Sequence, residues 1–328
     1  GWVYWSNWDG VGDVTSSIQM QRGLSAVNLA TPSIGGTMNI ITDPTASERG
    51  GVFKQEIGDG SFLKTTLNLN TGLMFDEKVA LSGTIVRKTG DGIIDYTWTD
   101  AWAYYFGASY AMNKTNRFEL YAIGAPQRHG QNLYKQNIAT YNRDLAQSTF
   151  GYDDEAFAED AKYEHEAGRE FNQNAAPVSS SYTGKQYFYM YGDHIEKRHD
   201  PNFINERENY FHKPLVNLNH YLTINDQMRL SSILYWSGGS GGGTGTYGKI
   251  PTLDADGVLG NRYYRFYFGG NPWTRDWDTL IDYNSGPDDT VWIDQSAILR
   301  NSDGESVGIL RNSINRQSTI GFISKLNY

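Results

Sequence analysis

Between Gly51 and Met112, and again over residues 213–237 and 315–328, apolar and polar residues alternate almost one for one. A period of two specifies β-strands with one apolar and one hydrophilic side. Leu63, Leu67 and Leu69 share a face opposite Lys64, Thr66, Asn68 and Asn70, while Val79, Leu81 and Ile85 oppose Lys78, Ser82 and Thr84. Trp102, Tyr104, Phe106, Ala108, Tyr110 and Met112 form an almost wholly aromatic face. Val216, Leu218 and Leu222, then Leu234 and Trp236, then Ile320, Phe322 and Leu326 repeat the pattern. The alternation predicts strands at about 51–58, 62–72, 78–88, 101–112, 117–125, 213–224, 227–237 and 315–328.

Periodicity alone fits two architectures. A soluble sandwich turns its apolar faces inward, whereas a membrane barrel turns them to lipid and keeps the polar faces in its lumen. Connection lengths separate the two. Short links at 73–77, 113–116 and 225–226 alternate with links at 59–61, 89–100, 126–212 and 238–314, so every long one falls on the same rim. Short turns on one side and long loops on the other is the plan of an outer-membrane barrel. A compact soluble domain has little use for two such loops.

Composition narrows the choice of partner. No run of residues reaches the roughly 20 apolar positions that a spanning helix needs. Aromatic residues make up 14% and glycines number 36, a balance suited to barrels with interface girdles but shared with glycan-binding sandwiches. A net charge of −9 argues against nucleic acid, whose phosphates demand a basic face. There is no cysteine, and a closed barrel needs no disulfides because closure removes its edges. The chain opens at Gly1-Trp2 without a basic and apolar leader, and is expected to be an internal piece of a longer protein.

Residues 18–42 read as two short alternating strands around a turn rich in small residues. The first holds Ile18 and Met20 and ends on Arg22-Gly23-Leu24-Ser25-Ala26; the second opens Gly35-Gly36-Thr37-Met38-Asn39-Ile40-Ile41-Thr42. Gly23, Gly35 and Gly36 are expected where the backbone takes φ > 0 or packs closely. This stretch resembles the end of the plug domain of TonB-dependent outer-membrane receptors, in a Bacteroidota-like style. Its Arg-Gly-Leu-Ser-Ala turn and double glycine are closer to the siderophore and vitamin type than to the starch-utilisation type.

The resemblance implies an all-β fold: a transmembrane antiparallel β-barrel, part of a roughly 22-stranded barrel, with a plug segment in its lumen. Residues 1–48 would be the C-terminal part of the plug, and 49–328 the first part of the barrel with long extracellular loops at about 126–212 and 238–314. It further implies energised uptake of a nutrient, with no enzymatic activity, across the outer membrane of a Gram-negative bacterium. Whether that nutrient is a siderophore, vitamin, glycan or peptide is left open. Partners would be the TonB–ExbB–ExbD complex, a small extracellular ligand, outer-membrane lipid and a surface lipoprotein. Arg22 would act as a latch onto wall carboxylates, against the plainer reading that its head reaches solvent in the lumen, with Gly23, Gly35, Gly36 and Asn39 completing the plug motif. Two alternatives stay open: a secreted glycan-binding sandwich, and a small self-contained barrel.

The remaining motifs are weaker. Trp2, Tyr4, Trp5 and Trp8, and in the second long loop Trp273 and Trp277, are candidates to face ligand, against the plainer reading that they pack on one another. His129, His165, His194, His199 and His212 cluster in the first long loop, but their spacing is not that of a zinc site and reads as a solvated loop. Residues 153–166 read as a short acidic helix. Asp254-Ala255-Asp256-Gly257 opens like a calcium loop, but Arg265 stands where the closing acid belongs. Ser237–Tyr247 lacks the Lys-Ser/Thr of a phosphate loop and reads as a mobile loop over the barrel mouth. No cofactor or metal site is expected.

Overall fold

The computed structural model describes residues 11–23, 35–134, 138–152, 166–189, 193–254, 259–260, 272–286, 290–293, 296–299 and 306–328. A hairpin of β1 (Ser17–Arg22) and β2 (Gly36–Ile41) comes first. Next come β3 (Gly50–Gly58), β4 (Phe62–Met74), β5 (Val79–Asp91), β6 (Trp98–Ala111) and β7 (Asn116–Gly124), each antiparallel to the one before. β8 (Gln127–Gly130) continues the line of β7 above the sharp break at Ala125-Pro126.

Two small pairs follow in the first long loop: β9 (Ala175–Pro177) with β12 (Phe203–Asn205), and β10 (Gln186–Tyr189) with β11 (Asp193–Glu196). The wall resumes with β13 (Glu208–His212) and β14 (Leu215–Thr223), one line again broken by a proline, Pro214. It ends with β15 (Arg229–Gly248) and β21 (Gly308–Asn327), after β16–β20 (residues 252–299) of the second long loop.

The result is a single up-and-down antiparallel wall in the order β3-β4-β5-β6-β7-β14-β15-β21, with β8 and β13 extending β7 and β14 upward. All eight expected strands are present. Among the described residues β3 and β21 do not pair with each other, so the wall is open at both edges. One face carries large apolar side chains that stay exposed, such as Leu69 at 56% and Phe322 at 67%. The other holds polar groups that are buried, such as Thr66 at 3% and Glu119 at 4%. A water-soluble sheet shows the reverse order.

The two proline breaks are aligned. β7 and β14 pair up to Ile123–Leu215, and β8 and β13 resume at Gln127–Phe211. Proline cannot donate to a ladder, so it sits where pairing is interrupted. Each carbonyl is still used: Trp102 N donates to Pro126 O at 2.9 Å, and Gly238 N to Pro214 O at 3.0 Å.

One expectation is overturned here. Ser237–Tyr247 is no loop: it forms the upper half of the 20-residue β15, paired residue by residue with β21 and, over Ser240–Gly243, with β13. Glycine is a poor strand former, but two partners hold this run in place and need its lack of side chains. A Cβ on Gly241 would stand 2.5 Å from Tyr210 O, and one on Gly242 2.6 Å from Ser313 O. The last strand likewise starts at Gly308, earlier than the alternation alone suggested.

Above the wall, the long loops fold into a packed cap. Ala176, Val178, Ile250, Trp277 and Leu280 form its apolar core, with Tyr182, Ile204, Ile281 and Val307 against them. The helix Trp277–Ser285 supplies Trp277, Leu280 and Ile281 and is capped by Asp276, whose carboxylate accepts from Thr279 N at 3.0 Å.

Candidate functional site

The segment ahead of the wall lies against its polar face. Ser16 N donates to Ile41 O at 2.8 Å, closing the base of the β1–β2 hairpin, and Asp43 N donates to Ser16 Oγ at 3.1 Å. Asp43 then caps a single helical turn, Pro44–Ala46, accepting from Thr45 N at 2.8 Å and Thr45 Oγ1 at 2.7 Å. Pro44 is buried against β6 at Gly107, where an added Cβ would meet its ring at 2.9 Å. An ion pair adds to the attachment: Lys64 Nζ on β4 reaches Asp13 at 3.0 Å and Glu56 at 3.2 Å, and Glu56 in turn pairs with Lys54 at 3.0 Å.

Below Lys64 the polar face is a ladder of amides and hydroxyls. Asn68 donates to Thr84 Oγ1, Asn70 to Asn68 Oδ1 and Ser82 to Asn70 Oδ1, all at 2.6 Å. A cavity of about 360 Å³ separates part of this ladder from the preceding segment, lined among others by Asp13, Asp43, Asn68, Ser82 and Tyr105. A second, of about 610 Å³, continues along β4 to Met74 at the short-turn rim, with Glu48 and Arg49 opposite. Both cavities are lined by Ala46, Ser47 and Asn70, so they abut.

The residues expected to form a plug motif are placed as follows. Gly36 has φ 133°, and a Cβ there would stand 2.6 Å from Gln21 O; Gly23 has φ 78°. Gly35 differs: an added Cβ meets nothing within 4 Å and its φ is not positive, so no described neighbour demands glycine there. Asn39 faces Gln19 across the hairpin and donates to its Oε1 at 3.3 Å. Arg22 ends β1 opposite Gly36 and is exposed; among the described residues no carboxylate pairs with it. The buried carboxylate of the polar face, Glu119, is satisfied within the wall by Arg117 and by Tyr121, whose hydroxyl donates at 3.1 Å.

Trp2, Tyr4, Trp5 and Trp8 lie outside the described residues, as do 153–165 and Asp256-Gly257. Trp273 and Trp277 are each only 3% exposed. Trp277 donates to Ile204 O at 3.1 Å from inside the apolar core, and the Arg275 guanidinium lies 4.9 Å over the Trp273 ring. Packing, the plainer of the two readings, describes where these rings sit.

Buried charges lie in the cap and in the upper wall strands β8 and β13 that meet it. Arg275 Nε pairs with Glu206 at 3.2 Å, and Arg128 with Glu208 at 2.8 Å. Glu206 also accepts from Asn174 at 3.2 Å and Glu208 from Gln186 at 3.2 Å. Burial pushes the Glu208 carboxyl up, against the pull of Arg128. His199 stacks on Trp98 with ring centroids 3.7 Å apart, and burial, reinforced by Arg128, lowers its pKa. Burial, with Lys88 nearby, does the same to His129. Among the described residues, no three His, Cys, Asp or Glu side chains converge as metal ligands.

Asp13, Asp43, Lys64 and the Asn68–Asn70–Ser82 ladder were not singled out by motif. Alternation did place Lys64, Asn68, Asn70 and Ser82 on the polar face, which was the available signal.

No family model matches the chain and no curated protein matches it by sequence. Among solved structures it is similar to the ferric-catecholate import receptor Fiu from E. coli K12, at 13% identity over 71% of this chain and 30% of that one, with a TM-score of 0.47. It is also similar to the ferripyoverdine receptor of the Pseudomonas aeruginosa outer membrane, at 10% identity over 77% and 26% with a TM-score of 0.47. A third is the siderophore receptor PiuA from Acinetobacter baumannii, at 8% identity over 95% and 45%, again with a TM-score of 0.47. The chain spans less than half the length of each of these receptors. At such values its own strands and side chains must carry the functional reading.

Proposed function

We propose that this chain is the end of a plug (about 1–48) and the first part of the wall (49–328) of a TonB-dependent outer-membrane importer of a small nutrient. The observation that carries this reading is the inversion of the wall. Its apolar side chains face outward and exposed, while its buried polar side is contacted by a segment of the same chain through Asp13–Lys64 and Pro44–Gly107. That arrangement suits a sheet with hydrocarbon outside and an occupied aqueous lumen inside. It disfavours the glycan-binding sandwich, which would bury those apolar faces against a second sheet. The open edges disfavour a self-contained eight-stranded barrel, whose interior would in any case be filled by side chains.

Uptake would be driven by the TonB–ExbB–ExbD complex acting on the plug, with the cap facing the medium. The test uses the full-length protein in its own outer membrane. A panel of ferric catecholate, ferric hydroxamate, cobalamin and maltoheptaose is offered to cells with and without TonB. Import of one compound that needs both the protein and TonB is the expected result. Recovery of the protein as a soluble, detergent-independent species would overturn the reading.

A further inference from the structure

Above the proline breaks the polar side of the wall changes character. The alternation that puts Glu119 and Asn219 on that side continues up β15 as Gly239, Gly241, Gly243 and Gly245. Beside them β21 turns Gln317, Asn315, Ser313 and Arg311 the same way, in that order upward. Lys213, Phe211, Asn209 and Arg207 stand along the other flank. Bare backbone is thus a floor between two rows of side chains, and its lower part lines a cavity of about 480 Å³. From Gly239 to Gly245 the floor runs about 20 Å.

Two features separate this trough from the ladder on β4 and β5. The amides and hydroxyls of the ladder bond to one another, whereas the side chains of Asn209, Ser313, Asn315 and Gln317 have no described partner. The second feature is charge. Arg207 Nη1 and Arg311 Nη2 converge on the floor at Gly245, 2.9 and 3.9 Å from where a Cβ would stand. Tyr134 holds Arg207 from behind: its hydroxyl accepts from Nη2 at 3.2 Å, and its ring lies 5.4 Å from the guanidinium. Among the described residues no carboxylate pairs with Arg207, Arg311 or Lys213. Two guanidiniums aimed at one point repel each other unless an anion lies between them, and their planar forks match the oxygens of a carboxylate or phosphate.

The geometry points to a binding trough for an elongated, oxygen-rich solute whose carboxylate or phosphate end is held by Arg207 and Arg311. Hydroxyl or amide groups along that solute meet Asn209, Ser313, Asn315 and Gln317, which donate and accept alike. Phe211 gives one flat apolar face, and Lys213 stands at the far end for a second acidic group. The backbone of Ser240–Gly243 is paired with strands on both sides, so an extended peptide has no edge to join and recognition falls to side chains. The inference rests on the uptake reading above for the side from which solute arrives, and adds to it an acidic class of solute.

The test titrates three metal-free probes into full-length protein in detergent micelles, followed by calorimetry: trigalacturonate, inorganic tripolyphosphate and neutral maltotriose. At least one of the two acids is expected to bind about tenfold tighter than maltotriose or better, and the stronger of the two tells carboxylate from phosphate. Arg207→Gln and Arg311→Gln should each remove that preference and leave maltotriose as it was, while Arg311→Lys keeps part of it. Gly243→Val should weaken the acid as well, by filling the trough where an added Cβ meets nothing nearer than the Asn209 amide at 3.3 Å. Heat-modifiable migration confirms that each variant is folded.

Equal binding of acids and maltotriose overturns the trough, and so does a preference that neither arginine variant reduces. Either result in a protein that still imports a nutrient under TonB leaves the uptake reading standing. The expected acid binding by a protein that is soluble without detergent keeps the trough and removes that reading.

Discussion

Wall and cap are built from one chain by opposite rules. In the wall, large apolar groups such as Leu69 and Phe322 face out, and Asn68, Ser82 and Glu119 are shielded. In the cap, Val178, Ile250 and Leu280 are buried, and the charge that accompanies them inward is paired, Arg275 with Glu206. The contrast tells what lies outside each part. A surface that shows leucine and phenylalanine strand after strand is made for hydrocarbon; one that hides them is made for water.

The sharpest way to break this contrast is to remove one buried charge from the cap. Glu206→Ala strands the Arg275 guanidinium and should cost about 3–5 kcal/mol, seen as lost hydrogen-exchange protection in the cap with the wall unchanged. If the wall opened together with the cap, the two would be one cooperative unit and the comparison would fail. Next comes Leu69→Arg on the apolar face, expected to cost about 2–4 kcal/mol when the protein is folded into phospholipid vesicles. On a water-facing surface the same change would be close to neutral, so a null result there would sink the membrane assignment.

Gly241→Val should cost about 1–3 kcal/mol by driving a side chain into Tyr210 and Phe211, loosening the top of β15 without touching the lower wall. Lys64→Met removes a partly exposed ion pair, and about 1 kcal/mol or less of attachment between residues 11–16 and β4 should go with it. Proteolysis ahead of β1 at rising salt reads that loss, and wild type should converge on the variant as salt screens the pair.

The smallest effect expected is that of pH on the cap. His129 and His199 have lowered pKa values in the fold, so the unfolded chain binds protons more readily. Their contribution is complete above the ordinary histidine range near 6.5 and fades as pH drops through the lower folded values. Glu208 runs the other way. Its raised pKa means that the fold holds a proton better than the unfolded chain, so acidification relieves a cost there. The two trends overlap and partly cancel. Glu208→Gln removes the relief, and cap exchange rates should then climb more steeply between neutral and mildly acidic pH than in wild type.

How much was legible in the sequence divides along the same boundary. Each wall strand pairs with its neighbour in the sheet, and its faces follow from a strict period of two, so Leu63–Leu69 against Lys64–Asn70 could be read directly. The glycine run could not. Its strand character comes from β13 and β21 on either side, and β21 pairs with it from 62 to 82 residues further along the chain. The cap was opaque for the same reason: Trp277 meets Ile204, and Arg275 meets Glu206, across 73 and 69 residues with no local period. Motif reading also pointed at Arg22, while Lys64 and Asp13, two unremarkable positions by motif, form the described ion pair between the leading segment and the wall.

The aligned interruptions at Pro126 and Pro214 have a mechanical consequence. They lie next to Trp102 and Trp236, large rings still 46% and 40% exposed, at the level where an aromatic girdle would mark the edge of the bilayer. Two neighbouring strands lose rungs side by side at that height, while β6 and β15 run unbroken past it and still hold β8 and β13. On the proposed uptake reading, such a joint would let the upper ends of two staves be aimed apart from the part sealed in lipid, without cutting the wall.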